Sequence, residues 1–163
     1  MFLAVLLASL SLHIHPSEID SLLRELDMSI RNRPQYTLKR QEQIDALQRK
    51  LRLSHSDQER YDLYRELFGK YRSYRMDSAL WVANQRVELA KRMKNPLYIR
   101  SAELNIAEVM IGVAMYKEGL EILDGIKSAD LDASGVSYYY YQYHQVYTLM
   151  ACLLYTSDAA DDR

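Results

Sequence analysis

The chain has 163 residues, 48% of them hydrophobic and 26% charged, which is one domain's worth with ample side chains for a core. Only five glycines and three prolines interrupt a composition rich in helix formers, so the balance points to an all-α protein. A formal net charge of −1 gives no electrostatic footprint for nucleic acid.

Residues 2–12 are almost wholly apolar, broken only by Ser9 and Ser11. The run is too short to span a bilayer and matches the apolar region of a signal peptide. Small residues (Ala8, Ser9, Ser11) followed by His13, Ile14, His15 and Pro16 place cleavage between Ser11 and Ser17. Residues 1–16 are therefore read as a signal peptide. No Lys or Arg precedes the apolar run, which puts the true start upstream. The competing reading is a buried N-terminal helix, but the next segment starts with a cap of its own.

Residues 17–55 read as a helical pair. Ser17 and Asp20 have the spacing of a capping box, and Ile19, Leu22, Leu23, Leu26 and Ile30 follow on one face. Pro34 ends that helix and opens the next, where Tyr36, Arg40, Ile44, Leu47 and Leu51 share a face. Ser56 and Glu59 form a second capping box, opening a helix with Leu63, Tyr64, Leu67, Phe68 and Tyr71 inward. After a turn at Ser73 and Tyr74, Asp77 is expected to cap a helix burying Ala79, Leu80, Ala83, Val87 and Ala90, which Asn95 and Pro96 stop. The next helix carries Ala102, Ile106, Val109, Met110 and Val113. A turn near Ala114 leads into a helix from Tyr116 to about Lys127, with Leu120, Leu123 and Ile126 buried. Residues 128–135 read as the longest polar loop. A last helix starts near Val136, crowded with Tyr138, Tyr139, Tyr140, Tyr141, Tyr143 and Tyr147.

The C-terminal stretch has a different origin. Cys152, Leu153, Leu154, Tyr155, Thr156 and Ser157 are what the codons TGT CTC TTA TAC ACA TCT encode, and those codons match the mosaic end of transposase-delivered sequencing adaptors. The following adaptor bases give Asp158, Ala159, Ala160, Asp161 and Asp162, so the resemblance runs through eleven consecutive residues. Residues 152–163 are read as translated adaptor, with the native sequence broken off at about Ala151 in mid-helix. Asp158, Asp161, Asp162 and Arg163 sum to −2, so the remainder carries −1 − (−2) = +1. Cys152 is the only cysteine, so the remainder has no disulfide, thiol nucleophile or thiolate metal site.

Two hairpins look like copies. Ala79 and Leu80 lie forty residues before Gly119 and Leu120, as Leu67 does before Ala107. Paired helices at such a period are a solenoid signature, and the pattern resembles the tetratricopeptide repeat. Ile106, Ala107 and Met110 match that family's first helix, and Tyr116, Gly119, Leu123 and Ile126 match its turn aromatic and second helix. Alanine is usual at the Gly119 position. The first hairpin departs more, with Leu67 where a small residue is usual and Pro96 later than the consensus of about 34 residues allows. The resemblance implies an all-α, helix-hairpin solenoid with repeats at 56–96, 97–134 and 135–151, the last truncated. The order of segments also resembles a bacterial family whose members carry a signal peptide, a helical pair beginning as Ile19, Asp20, Ser21, Leu22 and Leu23 do here, and then such repeats. Glu59 to Tyr64 and Asp77 to Ala79 match it as well. Members continue into a membrane helix and a cytoplasmic segment suggestive of regulation, so membrane anchoring is implied only through sequence downstream.

Catalytic and metal chemistry finds no support in the residues. His13 and His15 sit at the cleavage region, and neither His55 nor His144 has ligand-type neighbours one helical turn away. No nucleophile–base arrangement or phosphate loop can be named, so no enzyme, cofactor or metal is expected. Arg72, Arg75, Arg86, Lys91 and Arg92 could hold an acidic peptide end, but a solvated helix face is the preferred reading. The tyrosines of the last helix are interface-type residues, with packing against neighbouring helices preferred. The expected function is non-covalent binding of a protein or peptide in a groove of inner helix faces, with Tyr64, Tyr71, Asn105 and Tyr140 as candidates. The protein is expected to be exported, as the N-terminal portion of a membrane-anchored regulator or, alternatively, as a free periplasmic or surface scaffold.

Overall fold

The computed structural model describes the backbone of residues 16–161 and the side chains of residues 18–153. The proposed signal peptide, with His13 and His15, and most adaptor-like side chains lie outside them. Seven α-helices follow in order among the described residues: α1 (Pro16–Arg31), α2 (Arg33–Leu53), α3 (Asp57–Tyr71), α4 (Met76–Arg92), α5 (Pro96–Gly112), α6 (Tyr116–Asp124) and α7 (Ala133–Asp161), with a 3-10 turn at Ser128–Asp130. The all-α architecture of paired helices expected from composition and periodicity, and implied by the tetratricopeptide resemblance, is what the described residues adopt. No helix among the described residues is long and apolar enough to cross a membrane.

Residues 1–42 and 43–163 form separate compact units, with α2 running through the division. In the first, α1 carries Ile19, Leu22, Leu23, Leu26 and Ile30 on one face, and all five are exposed. Pro16 opens α1, which places Ser17 inside the first turn and not at a cap.

In the second unit, two apolar clusters follow each other along the chain. The first joins Ile44 and Leu47 to Tyr61, Leu67 and Phe68 of α3, Ala79, Val82 and Ala83 of α4, and Val109 of α5. The second joins Leu104, Ala107 and Ile111 to Leu123, Ile126 and Val146. α5 takes part in both, so it is buried on two sides. Its expected single face of Ala102, Ile106, Val109, Met110 and Val113 is therefore incomplete: Ala102 and Val109 are buried with Leu104, Asn105, Ala107 and Ile111, whereas Val113 is 44% exposed.

The helix ends are chemically specific. Ser56 Oγ accepts from Glu59 N at 3.1 Å, as a capping box requires, but the Glu59 carboxylate turns to Ser54 Oγ at 2.8 Å. Asn95 Oδ1 caps α5 at Tyr98 N, with Pro96 at its first position. Asp77 does not cap α4. The cap position is Arg75, without a side-chain bond, and Asp77 sits in the first turn, where its charge complements the helix dipole. α7 starts earlier than Val136 because Asp132 Oδ1 accepts from Gly135 N at 2.7 Å and so caps it. The expected polar loop is shortened accordingly.

The turns after α4 and α5 are the same turn. Lys94 and Ala114 adopt left-handed φ angles of 53° and 63°. Asn95 N reaches Ala90 O at 3.1 Å, and Met115 N reaches Met110 O at 2.8 Å. The next bonds inward are Lys94 N to Lys91 O at 3.0 Å and Ala114 N to Ile111 O at 3.1 Å. This is the paired bonding of a Schellman end. Four residues past each left-handed position stand Tyr98, on the groove described below, and Glu118.

Candidate functional site

The inner faces of α3 and α5 and the start of α7 enclose a groove of about 400 Å³, lined by Tyr61, Arg65, Arg86, Ser101, Asn105 and Tyr138 among others. A second hollow of about 670 Å³ continues it between α3, α5 and α7, past Glu108, Ile111 and Gln142. The two share Gly69, Arg72 and Tyr138.

At the groove's floor lies Arg86, sent inward from α4 and only 2% exposed. Its Nη2 donates to the Tyr61 hydroxyl at 2.8 Å, and its Nη1 donates to Asn105 Oδ1. The guanidinium carbon stands 4.4 Å from the centre of the Tyr61 ring, a cation–π distance. The Tyr61 hydroxyl donates onward to the Tyr98 carbonyl at 2.8 Å, and the two tyrosine rings stack at 4.5 Å. No carboxylate stands within ion-pair distance of Arg86 among the described residues. Burial therefore lowers the Arg86 pKa, against the opposing influence of Tyr61, while the same burial raises that of Tyr61.

The polar chain continues along the groove. Tyr138 donates to Glu108 Oε2, while Arg72 Nη1 pairs with Glu108 Oε1 at 2.9 Å. Burial, then the Glu108 charge, raises the Tyr138 pKa far above its ordinary value, so the hydroxyl stays protonated as a donor. The network thus ties α3, α4, α5 and α7 together through side chains.

The basic cluster seen in the sequence divides on this geometry. Arg72 pairs with Glu108, Lys91 with Glu88 at 2.9 Å and Arg92 with Asp57 at 2.8 Å, and Arg75 is exposed. The solvated-face reading holds for these four and fails for Arg86. A long cation four residues before the buried Ala90 reads from sequence as polar surface; only its stacking partner, Tyr61, one helical turn into the preceding helix, signals otherwise.

Of the candidate residues, Asn105 lines the groove at Arg86. Tyr64 and Tyr71 do not join it. Tyr64 is buried in the first core cluster, edge-on to Trp81 at 5.8 Å, and the Tyr71 hydroxyl accepts from Gln48 Nε2 at 3.1 Å. Tyr64 thus meets α4, and Tyr71 faces the hollow between α2 and α4. Tyr140 is 58% exposed and packs edge-on to Tyr139, outside the groove. Tyr138, which does line it, stood in the sequence only as one tyrosine of many. Tyr143 instead donates to Asp124 at 2.6 Å, tying α7 to α6.

Among the described residues, no three His, Cys, Asp or Glu side chains gather as a metal site. Comparison with curated proteins and with solved structures gives no match. The model of one family, described as the SusR N-terminal TPR domain, matches residues 30–162, a span that takes in α2 through α7. With most of its length so matched, and with paired helices, small-residue crossings and repeated turns that follow the same plan, the chain belongs to the SusR N-terminal TPR domain family.

Proposed function

We propose that this domain holds a segment of a partner protein along the α3–α5–α7 groove, and that it is the exported N-terminal portion of a membrane-anchored bacterial regulator or sensor. Tetratricopeptide domains are generally non-catalytic interaction modules. The observation that carries the binding reading is the groove itself: it is lined by three successive first helices and supplied with converging polar groups from Tyr61, Arg86, Asn105 and Tyr138. Export is supported by the apolar run of residues 2–12 and the small residues at its end.

Two experiments test the two halves. A photo-crosslinking amino acid placed at Ser101, in the groove, is expected to capture a discrete partner in the native host, whereas one at Trp81, exposed on α4, is not. Equal capture from both positions overturns the groove reading. Residues 1–30 fused to alkaline phosphatase, which is active only outside the cytoplasm, are expected to give activity; an inactive fusion overturns export. A free periplasmic or surface scaffold is the second reading, and a full-length gene without a downstream membrane span would favour it. Long-read sequencing across the codons for Met150 to Arg163 tests the adaptor reading. The same codons in unamplified DNA would refute it.

A further inference from the structure

The groove holds two buried side chains whose donors the fold leaves unmet. Arg86 and Gln142 are each 2% exposed, and neither Arg86 Nε nor Gln142 Nε2 has an acceptor among the described residues. They stand in the two hollows that make up the groove, Arg86 in the first and Gln142 in the second. A buried donor without an acceptor is unfavourable, and a buried guanidinium without a counter-charge more so. A third residue at the junction of the hollows is equally unexplained by packing. Gly69 lies within α3, where glycine is less favourable than alanine, yet nothing lies within 4 Å of where its Cβ would stand. A glycine in such a place suits the close approach of another backbone.

We propose that the partner segment is extended and acidic. Its main chain crosses α3 over Gly69, one of its Asp or Glu side chains sets a carboxylate against Arg86, and a main-chain carbonyl accepts from Gln142. The inference rests on the groove reading and specifies its ligand. The acceptor demand is one-sided. Both unmet atoms are donors, and the groove's own carboxylates are already engaged, Glu108 by Arg72 and Tyr138, Asp62 by Arg65 at 3.3 Å, and Asp132 by the Gly135 N–H and the Ser134 hydroxyl. A carboxylate meets a guanidinium with paired, charge-assisted bonds that an amide cannot reproduce.

The test is a nuclear magnetic resonance titration of the full chain, following the Arg86 Nε–H, the Gln142 side-chain amide and the Gly69 backbone amide. Three short alanine–serine peptides serve as probes: one with a central Glu and blocked ends, its Gln twin, and the Gln twin with a free C-terminal carboxylate. The Glu peptide is expected to shift all three signals and to bind at least about tenfold more tightly than the blocked Gln twin. Gly69→Ala is expected to raise the Tm while weakening the Glu peptide about tenfold, an opposition that a merely structural glycine would not produce. Arg86→Met, if folded, brings the Glu peptide down to the affinity of its Gln twin. Equal binding of the blocked twins at the groove signals overturns the carboxylate assignment and leaves the groove reading standing. Preference for the free-terminus peptide over the Glu peptide overturns the side-chain source. No shift of the groove signals with any probe overturns both readings.

Discussion

Arg86 is a cation held where a cation is costly, and its neighbours show what holds it: one aromatic face, one hydroxyl and one amide oxygen, with no carboxylate. Replacing a buried charge by an apolar residue of similar volume is often neutral, whereas removing its partner is not. Arg86→Met is therefore expected to change stability by no more than about 1 kcal/mol. Asn105→Leu, which strands the guanidinium, is expected to cost about 2–3 kcal/mol in urea denaturation. The opposite ranking would mean that Arg86 holds the fold together. Asp132 gives a second test at this scale. The Gly135 backbone N–H and then the Ser134 hydroxyl hold its carboxyl below the ordinary range. A depressed folded pKa contributes stability that is present above the unfolded value of about 3.9 and is lost as pH falls through the folded one. The wild-type Tm should thus fall more steeply than that of Asp132→Asn between about pH 5 and pH 3; parallel melting curves would refute the cap's titration.

Helices in this chain are decided at their ends and crossings. Lys94 and Ala114 occupy left-handed backbone that glycine takes without the Cβ clash. Lys94→Gly and Ala114→Gly are each expected to stabilise by about 1 kcal/mol, read from thermal melts. The crossing of α5 and α6 predicts the reverse for the glycine that is there. A Cβ at Gly119 would stand 2.8 Å from Ile111 Cγ1, and Ile111 is itself buried. Gly119→Ala is expected to destabilise by about 1 kcal/mol, overpacking outweighing the better helix propensity, even though Ala79 fills the matching place forty residues earlier. These elements also show how far sequence reaches. Pro34, Pro96 and the Ser56 cap announce themselves because few backbone states accept those residues there. Asp77 misleads because an acidic residue suits a cap and a first turn alike. Arg86 misleads because amphipathic patterning places a charge outside by default, and the stacking that overrides it comes from a different helix. Asn105 was legible as a polar residue in an apolar helix, while Tyr64 and Tyr71 needed the orientation of α3 between its neighbours.

At the scale of the whole second unit, each helix packs chiefly on its neighbours in the chain: α3 on α4, α4 on α5, α5 on α6, and α5 and α6 on α7. Nothing essential waits for a distant segment to return. Such a chain has low contact order, and its rate of folding is set by local closure and not by long loops. Each pair of helices can settle as soon as both are available, so ordering can travel from α3 toward α7 while synthesis is still under way. Unfolding should run inward from an end. Amide hydrogen exchange is expected to be slowest in α4 and α5, which have neighbours on two sides, and progressively faster through α6 and α7; uniform protection from α3 to α7 would mark a single cooperative block instead. The same locality sets a constraint on export. If the chain is exported as proposed, a domain with such local pairing would have to cross the membrane before its first hairpin closes, so its passage would be a race between translocation and the pairing of α3 with α4.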